Sequence, residues 1–200
     1  MNKENFEYVN QFKFKNAKVI GKRPRGSSYV ITLFARINGK AVYPRIICRN
    51  NISNIQDIEI NSFLNGRGFI RAYTEIAADK SAKKHQYFVA DEISISQDLM
   101  SEIFGRKGNY FGESRFEIIL SGKARSITDV GKYSYITVET DVCVEGRKPS
   151  YVTVTKPSNV PCPRKDDMIA LAVSLTTPKL KKSGQTAYLE NLFVSDLVIV

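Results

Sequence analysis

Lys80, Lys83 and Lys84 fall within the stretch AADKSAKKHQ (77–86), and Lys179, Lys181 and Lys182 within TPKLKKSGQT (177–186). A third basic stretch, GKRPRGSS (21–28), holds Lys22, Arg23 and Arg25, and Arg45 and Arg49 follow on AVYPRIICR (41–49). Clusters of this kind neutralise a polyanion, with affinity that falls as salt rises. The chain also spaces tyrosines, Tyr29, Tyr43, Tyr133, Tyr135 and Tyr151, whose flat rings can stack on planar groups. This is the chemistry of capture and not of bond making. The one histidine, His85, sits in a lysine-rich stretch with no cysteine or carboxylate at triad or metal spacing. Gly66-Arg67-Gly68 and Gly105-Arg106-Lys107-Gly108 lack the strand and helix that a phosphate-cradling loop needs. Asp91 and Asp196 supply one carboxylate per half of the chain, which is no acid/base pair. No catalytic residue, metal site or cofactor is expected, and an enzyme is not the reading.

The elements that must carry these residues occur twice. Phe88-Val89-Ala90-Asp91 returns as Phe193-Val194-Ser195-Asp196, and Lys18 and Lys123 share the same 105-residue offset. FKFKNAKVIGK (12–22) and FEIILSGKAR (116–125) alternate as half-buried first strands. SYVITLFARI (28–37) and SYITVETDV (134–142) are second strands, each followed by turn residues, Asn38-Gly39-Lys40 or Glu145-Gly146-Arg147. AVYPRIICR and SYVTVT (150–155) are third strands, the former irregular at Pro44, which cannot donate to a ladder. Residues 50–67 have room for a short helix, whereas KPSNVPCPRKDD (156–167) is a proline-bearing loop. GFIRAYTEI (68–76) and MIALAVSLT (168–176) are fourth strands, followed by a lysine-bearing loop and the echoed fifth. QDLMSEIFGRKGNYFGES (97–114), helix-compatible at first and glycine-rich at its end, is the linker. The chain divides at residues 1–104 and 105–200, and no long amphipathic helix competes with an all-β reading.

Composition narrows the partner. Thirty Lys plus Arg against twenty Asp plus Glu leaves a formal charge of +10, which points to a polyanion. No apolar run reaches the roughly 18 residues of a membrane helix, and MNKENFEYVN is too polar for a secretory signal, so a soluble protein with no membrane partner is expected. Cys48, Cys143 and Cys162 are odd in number and far apart, fitting a reducing cytoplasm.

A long first strand, a tight hairpin between strands two and three, a variable connection to strand four and a basic final hairpin resemble the tandem OB-fold single-stranded DNA-binding proteins over nearly the whole chain. The resemblance implies two tandem five-stranded OB barrels that coat or protect single-stranded DNA in replication or recombination with little sequence preference. Phosphates would be held by Lys22, Arg23, Arg25, Arg45, Arg49, Lys80, Lys83, Lys84, Lys179, Lys181 and Lys182. Bases would stack on Tyr29, Tyr43, Tyr133, Tyr135 and Tyr151. The reading pairs Tyr29 with Tyr43 and Tyr135 with Tyr151, and aligns Tyr29 with Tyr135. RNA binding and a structural or assembly protein, such as a viral component, are the alternatives, and homodimerisation stays open. Members of that group commonly end in an acidic tail that recruits partners, whereas this chain stops inside a strand at Asp196–Val200, so tail-mediated recruitment is not expected. A lysine- and asparagine-rich chain of this form suggests a phage or mobile element, acting in the host cytoplasm.

Overall fold

The computed structural model describes residues 6–37, 40–49, 52, 55–76, 78–80, 82–96, 102–105, 108–111, 114–142, 146–182 and 185–200, with residues 102–111 and 180–188 in backbone only. Alternation sets the first strand, β1 (Val9–Arg25), in which Phe12 and Phe14 are buried while Lys13 and Lys15 face out. At Asn16, φ is 54°, and the register with a later strand slips between Phe14 and Ala17, so that Ala17 and Val19 take over the inward face. β2 (Ser28–Ile37) follows, then β3 (Lys40–Val42) and β4 (Arg45–Arg49), separated at Pro44 as its missing N–H requires. Pro44 still contributes its carbonyl, which accepts from Leu33 N–H at 2.9 Å. β5 (Phe63–Ile76) and β6 (Ala82–Ile95) form a long hairpin.

Pairing of β1 with β2, β2 with β4, β4 with β6 in parallel, β6 with β5, and β5 with β1 closes a five-stranded ring. This is the OB topology. β5 passes close over the ring interior because Gly68 has no side chain: a Cβ there would lie 2.0 Å from Val89 O and 2.9 Å from the Phe12 ring.

The second ring repeats the first with β9 (Arg115–Val130), β10 (Tyr133–Thr140), β11 (Ser150–Pro157), β12 (Met168–Thr176) and β15 (Asn191–Ile199), again with one parallel pair, β11 and β15. The 105-residue offset holds through the whole first hairpin: Lys18 faces Phe34 as Lys123 faces Glu139, and Arg25 faces Ser28 as Val130 faces Tyr133. It corrects one alignment. Tyr29 corresponds to Ser134, and Tyr135 corresponds to Val30, so Tyr29 turns toward the core with Ile31 and Leu33.

Four local expectations also change. From Glu102 the linker contains two antiparallel paired strands, β7 (Glu102–Gly105) and β8 (Gly108–Phe111), since Ile103, Phe104, Tyr110 and Phe111 favour strands, while its helix-compatible start at 97–101 lies outside the described residues. Lys83, Lys84 and His85 belong to β6 and not to a loop, because the β5–β6 ladder zips out to Ile76 and Ala82. Lys179–Lys182 is a short strand, β13, paired with β14 (Gln185–Tyr188). Over 50–67 the described residues before β5 form bends, turns and irregular backbone without helix, while the Asn38-Gly39 turn residues and Cys143 lie outside the described residues.

The rings share one sheet. β1 and β9 pair antiparallel from Val9 with Ser121 to Lys15 with Arg115, linking the rings into an 11-stranded sheet. Phe116, from β9, enters the first ring's core: its ring lies 5.7 Å from Phe12, 6.2 Å from Phe14 and 5.3 Å from Phe88. Buried Asn10 reinforces the seam by donating to Ile70 O (2.7 Å), Thr140 Oγ1 (3.1 Å) and Asp141 Oδ2 (2.8 Å), while its own carbonyl accepts from Ile70 N–H (2.8 Å).

Candidate nucleic-acid interface

The β5–β6 hairpin has two faces, fixed by the period-two alternation of strands. Arg71 and Tyr73 on β5 face the same way as their cross-strand partners Tyr87 and His85 on β6. Tyr73 and His85 stack at 4.9 Å and 13°, and Tyr87 meets Tyr73 edge-on at 5.8 Å. His85 Nε2 lies 2.8 Å from Glu75 Oε2, which fixes the imidazole under the tyrosine. These aromatics line a cleft of 190 Å³ together with Arg23 and Arg25 from the end of β1, Val30, Ile47, Arg45 and Glu190. A neighbouring hollow of 280 Å³ continues past Tyr87, with Arg25, Arg49 and Arg71 on its rim. Five arginines thus line an aromatic groove on the first ring.

The other face of the hairpin crosses to the second ring. Gln86 grips β11 through both amide atoms: its Nε2 donates to Thr153 O (3.0 Å) and its Oε1 accepts from Thr153 N–H (2.5 Å). Lys84 Nζ donates to Thr153 Oγ1 at 2.5 Å and lies 3.5 Å from Thr137 Oγ1. The residue is exposed as a whole, but its ammonium is drawn between the threonines, and that desolvation lowers its pKa.

The threonine pair sits in the middle of the tyrosine face. Along the β10–β11 ladder the rows read Tyr133 with Pro157, Tyr135 with Thr155, Thr137 with Thr153, and Glu139 with Tyr151. Ser134, Ile136 and Val138 point inward on β10, as do Val152 and Val154 on β11, which leaves Tyr133, Tyr135 and Tyr151 exposed at 47%, 44% and 44%. Tyr151 Oη donates to Glu139 Oε1 at 3.1 Å, and this bond to a carboxylate raises the phenol pKa. Arg125 pairs with the same Glu139 and bonds Asp166 at 3.2 Å. Lys84 of the first ring therefore lies between the Tyr135 and Tyr151 rows of the second.

The clasp is reciprocal. Just as Thr153 N–H reaches Gln86, Arg45 N–H donates to Glu190 Oε1 (2.6 Å), and Tyr43 N–H donates to Thr177 Oγ1 (2.8 Å), so the second ring's final hairpin also holds the first ring's third strand. Arg147 adds a contact between rings, lying 4.1 Å over the Phe69 ring and donating to Asp91 Oδ2 at 2.6 Å.

The expected site residues separate into four groups. Arg23, Arg25, Arg45 and Arg49 converge on the first groove, while Tyr133, Tyr135 and Tyr151 share the second face, joined there by Lys84. Lys80 and Lys83 are exposed at the hairpin tip, and Lys179 is exposed on β13, while the side chains of Lys181 and Lys182 lie outside the described residues. The remaining three are engaged elsewhere. Lys22 Nζ donates to Gln56 O (2.9 Å) and Ile58 O (3.0 Å) and stands 5.1 Å over the half-buried Tyr29 ring. Tyr43 leans on Phe34 at 5.6 Å. Sequence reasoning missed Arg71, Tyr73, Tyr87, His85 and Glu190. The alternation Phe69, Arg71, Tyr73, Glu75 held the signal for the first two, but Glu190 reaches the groove across 145 residues, beyond any local pattern.

Among the described residues no helix is long and apolar enough to cross a membrane, and no group of His, Cys, Asp or Glu could hold a metal ion. No protein-family model matches the sequence, and no curated protein matches it. Solved structures do. The wild-type single-stranded DNA binding protein from Thermus aquaticus matches with a TM-score of 0.58 at 11% identity, covering 98% of this chain and 94% of that one. A variant of the same protein with a deletion and a substitution also matches, with a TM-score of 0.58 at 11% identity, over 97% of this chain and 95% of that one. The chain therefore shares with that protein, over almost all of both lengths, the fold of two OB barrels in tandem.

Proposed function

We propose that this protein binds single-stranded DNA along both barrels at once, coating it during replication or recombination with little dependence on sequence. The observation that carries the reading is the β5–β6 hairpin. One of its faces builds the Tyr73, His85 and Tyr87 wall of an arginine-lined groove, and the other places Lys84 on the exposed tyrosine face of the second barrel. Unpaired bases need flat surfaces, and each barrel offers them beside cations that can neutralise phosphate. The likeness in fold to a single-stranded DNA binding protein supports the same conclusion. Residues 1–104 and 105–200 act in this proposal as two halves of one site, and binding rather than catalysis is the activity.

The test is competition of labelled oligo-dT by unlabelled single strand, duplex of equal length, and oligo-U. Single-stranded DNA should compete more than tenfold better than duplex, whose bases are already stacked on one another. Equal competition by duplex would leave only a basic surface. Displacement by oligo-U as strong as by oligo-dT would widen the partner to RNA, and indifference to all three polymers at low salt would turn the reading toward an assembly protein.

A further inference from the structure

Glu190 is out of place in a groove made for phosphate. Its side chain is only 10% exposed, and it lines the 190 Å³ cleft together with the cations Arg23, Arg25 and Arg45 and the aromatic residues Tyr73, His85 and Tyr87. Holding the barrels together does not require its charge. In the reciprocal clasp the same task, accepting a main-chain N–H from the third strand of the other barrel, is done by the neutral amide oxygen of Gln86. Nor does the Arg45 guanidinium need it, since Arg45 is 44% exposed to water and its Nη2 stands 3.5 Å from Glu190 Oε2. A carboxylate accepts about four hydrogen bonds, and these contacts occupy two of its lone-pair directions. Burial raises the Glu190 pKa in spite of Arg45, so those contacts do not fully replace the lost water.

We propose that the cleft is a nucleobase pocket in which a base stacked on the Tyr73 wall donates its exocyclic amino group to Glu190, so that amino-bearing bases, cytosine above all among pyrimidines, are preferred to thymine. The inference rests on the proposed binding of single-stranded DNA and deepens it by giving one position along the strand a chemical preference. Cytosine N4 donates, whereas thymine O4 is an acceptor that would meet the carboxylate oxygen with no proton between them. Stacking itself is indifferent to the base, which keeps the preference modest and confined to this pocket.

The experiment compares oligo-5-methyl-dC with oligo-dT of equal length, two pyrimidines that share the methyl group and differ in the amino edge, at pH 8 to favour the ionised carboxylate. The reading is the affinity ratio of the first over the second, in the wild type and in Glu190→Gln, whose amide can keep the clasp as Gln86 does. One net hydrogen bond corresponds to a ratio that falls about 2- to 12-fold in the variant. Tyr73→Ala should weaken both polymers alike and leave the ratio where it was. An unchanged ratio in Glu190→Gln, with melting temperature altered or not, overturns the proposal and leaves Glu190 as a clasp alone. If Glu190→Gln does not fold, Glu190→Asp, which withdraws the carboxylate by one methylene, must lower the ratio for the proposal to stand. Failure of the wild type to bind either polymer would instead overturn the single-stranded DNA reading itself, whatever the variants do.

Discussion

Stacking and packing make opposite demands on a tyrosine, since a ring that receives a base must be open to water and a ring that fills a core must not. Tyr135 and Tyr151, each 44% exposed, meet the first demand, and Tyr29, held against the core under Lys22, meets the second. Tyr135→Ala or Tyr151→Ala should therefore weaken binding of oligo-dT by roughly 1–3 kcal/mol and leave the melting temperature within a few degrees of the wild type. Tyr29→Ala should do the reverse, and a titration beside a thermal scan checks both. Asp141 allows a second prediction. It is buried, its φ is 61°, and desolvation raises its carboxyl pKa although Asn10 and Arg147 oppose the shift. The folded state then takes up this proton more readily than the unfolded chain, so the contribution of the site to stability grows as pH falls through the raised folded value. Asp141→Asn has no charge to desolvate. Its melting temperature relative to the wild type should be highest at pH 7 and decline toward pH 4, and a pH-independent difference would mean that the burial cost is absent.

Among the elements, the β5–β6 hairpin does most to turn two barrels into one surface, and it shows where sequence stops being informative. Strand order, the 105-residue repeat and the outward phase of Tyr133, Tyr135 and Tyr151 were legible because each depends on local alternation and on turn residues. The hairpin was legible only as far as its lysines. Lys83 to Gln86 continue the ladder as strand opposite Ala72 to Glu75, but that Gln86 would be seated on Thr153 depends on a contact across 67 residues, which no spacing rule encodes. Tyr29 illustrates the opposite hazard: a similar phrase, Ser-Tyr, recurs at 28–29 and 134–135, but the ladder shifts it by one residue and so reverses its face. The hairpin's cations supply a further prediction. Replacing Lys83 and Lys84 together with Gln should flatten the plot of log affinity against log salt by roughly 0.7 for each phosphate that is no longer neutralised. Because Lys84 lies on the second barrel's face, the double variant should also reduce the cost of Tyr135→Ala, as residues sharing one site do. A salt slope equal to the wild type would show that neither lysine neutralises a phosphate.

At the scale of the whole molecule, the two copies expected from the sequence on either side of residue 104 do not pack as separate bodies. Phe116 belongs to the second copy and stacks at 5.7 Å on Phe12 of the first, the β1–β9 ladder runs through the centre of the sheet, and buried Asn10 bonds Thr140 and Asp141 across the seam. Two barrels joined by a linker alone would unfold in two steps, each with its own midpoint. Two barrels that share an aromatic cluster and a ladder lose both cores when either opens, so thermal unfolding should be a single transition, with calorimetric and van't Hoff enthalpies in agreement. Phe116→Ala sharpens the test. Removing a buried phenyl costs about 3–5 kcal/mol, and the loss should lower that one transition as a whole. It should also weaken DNA binding at temperatures near the new midpoint, with wild-type affinity kept well below it, because Phe116 touches the core and not the groove. A calorimetric trace that splits into two peaks, only one of which moves with Phe116→Ala, would show instead that the barrels fold independently and that the continuous surface forms only after both are complete.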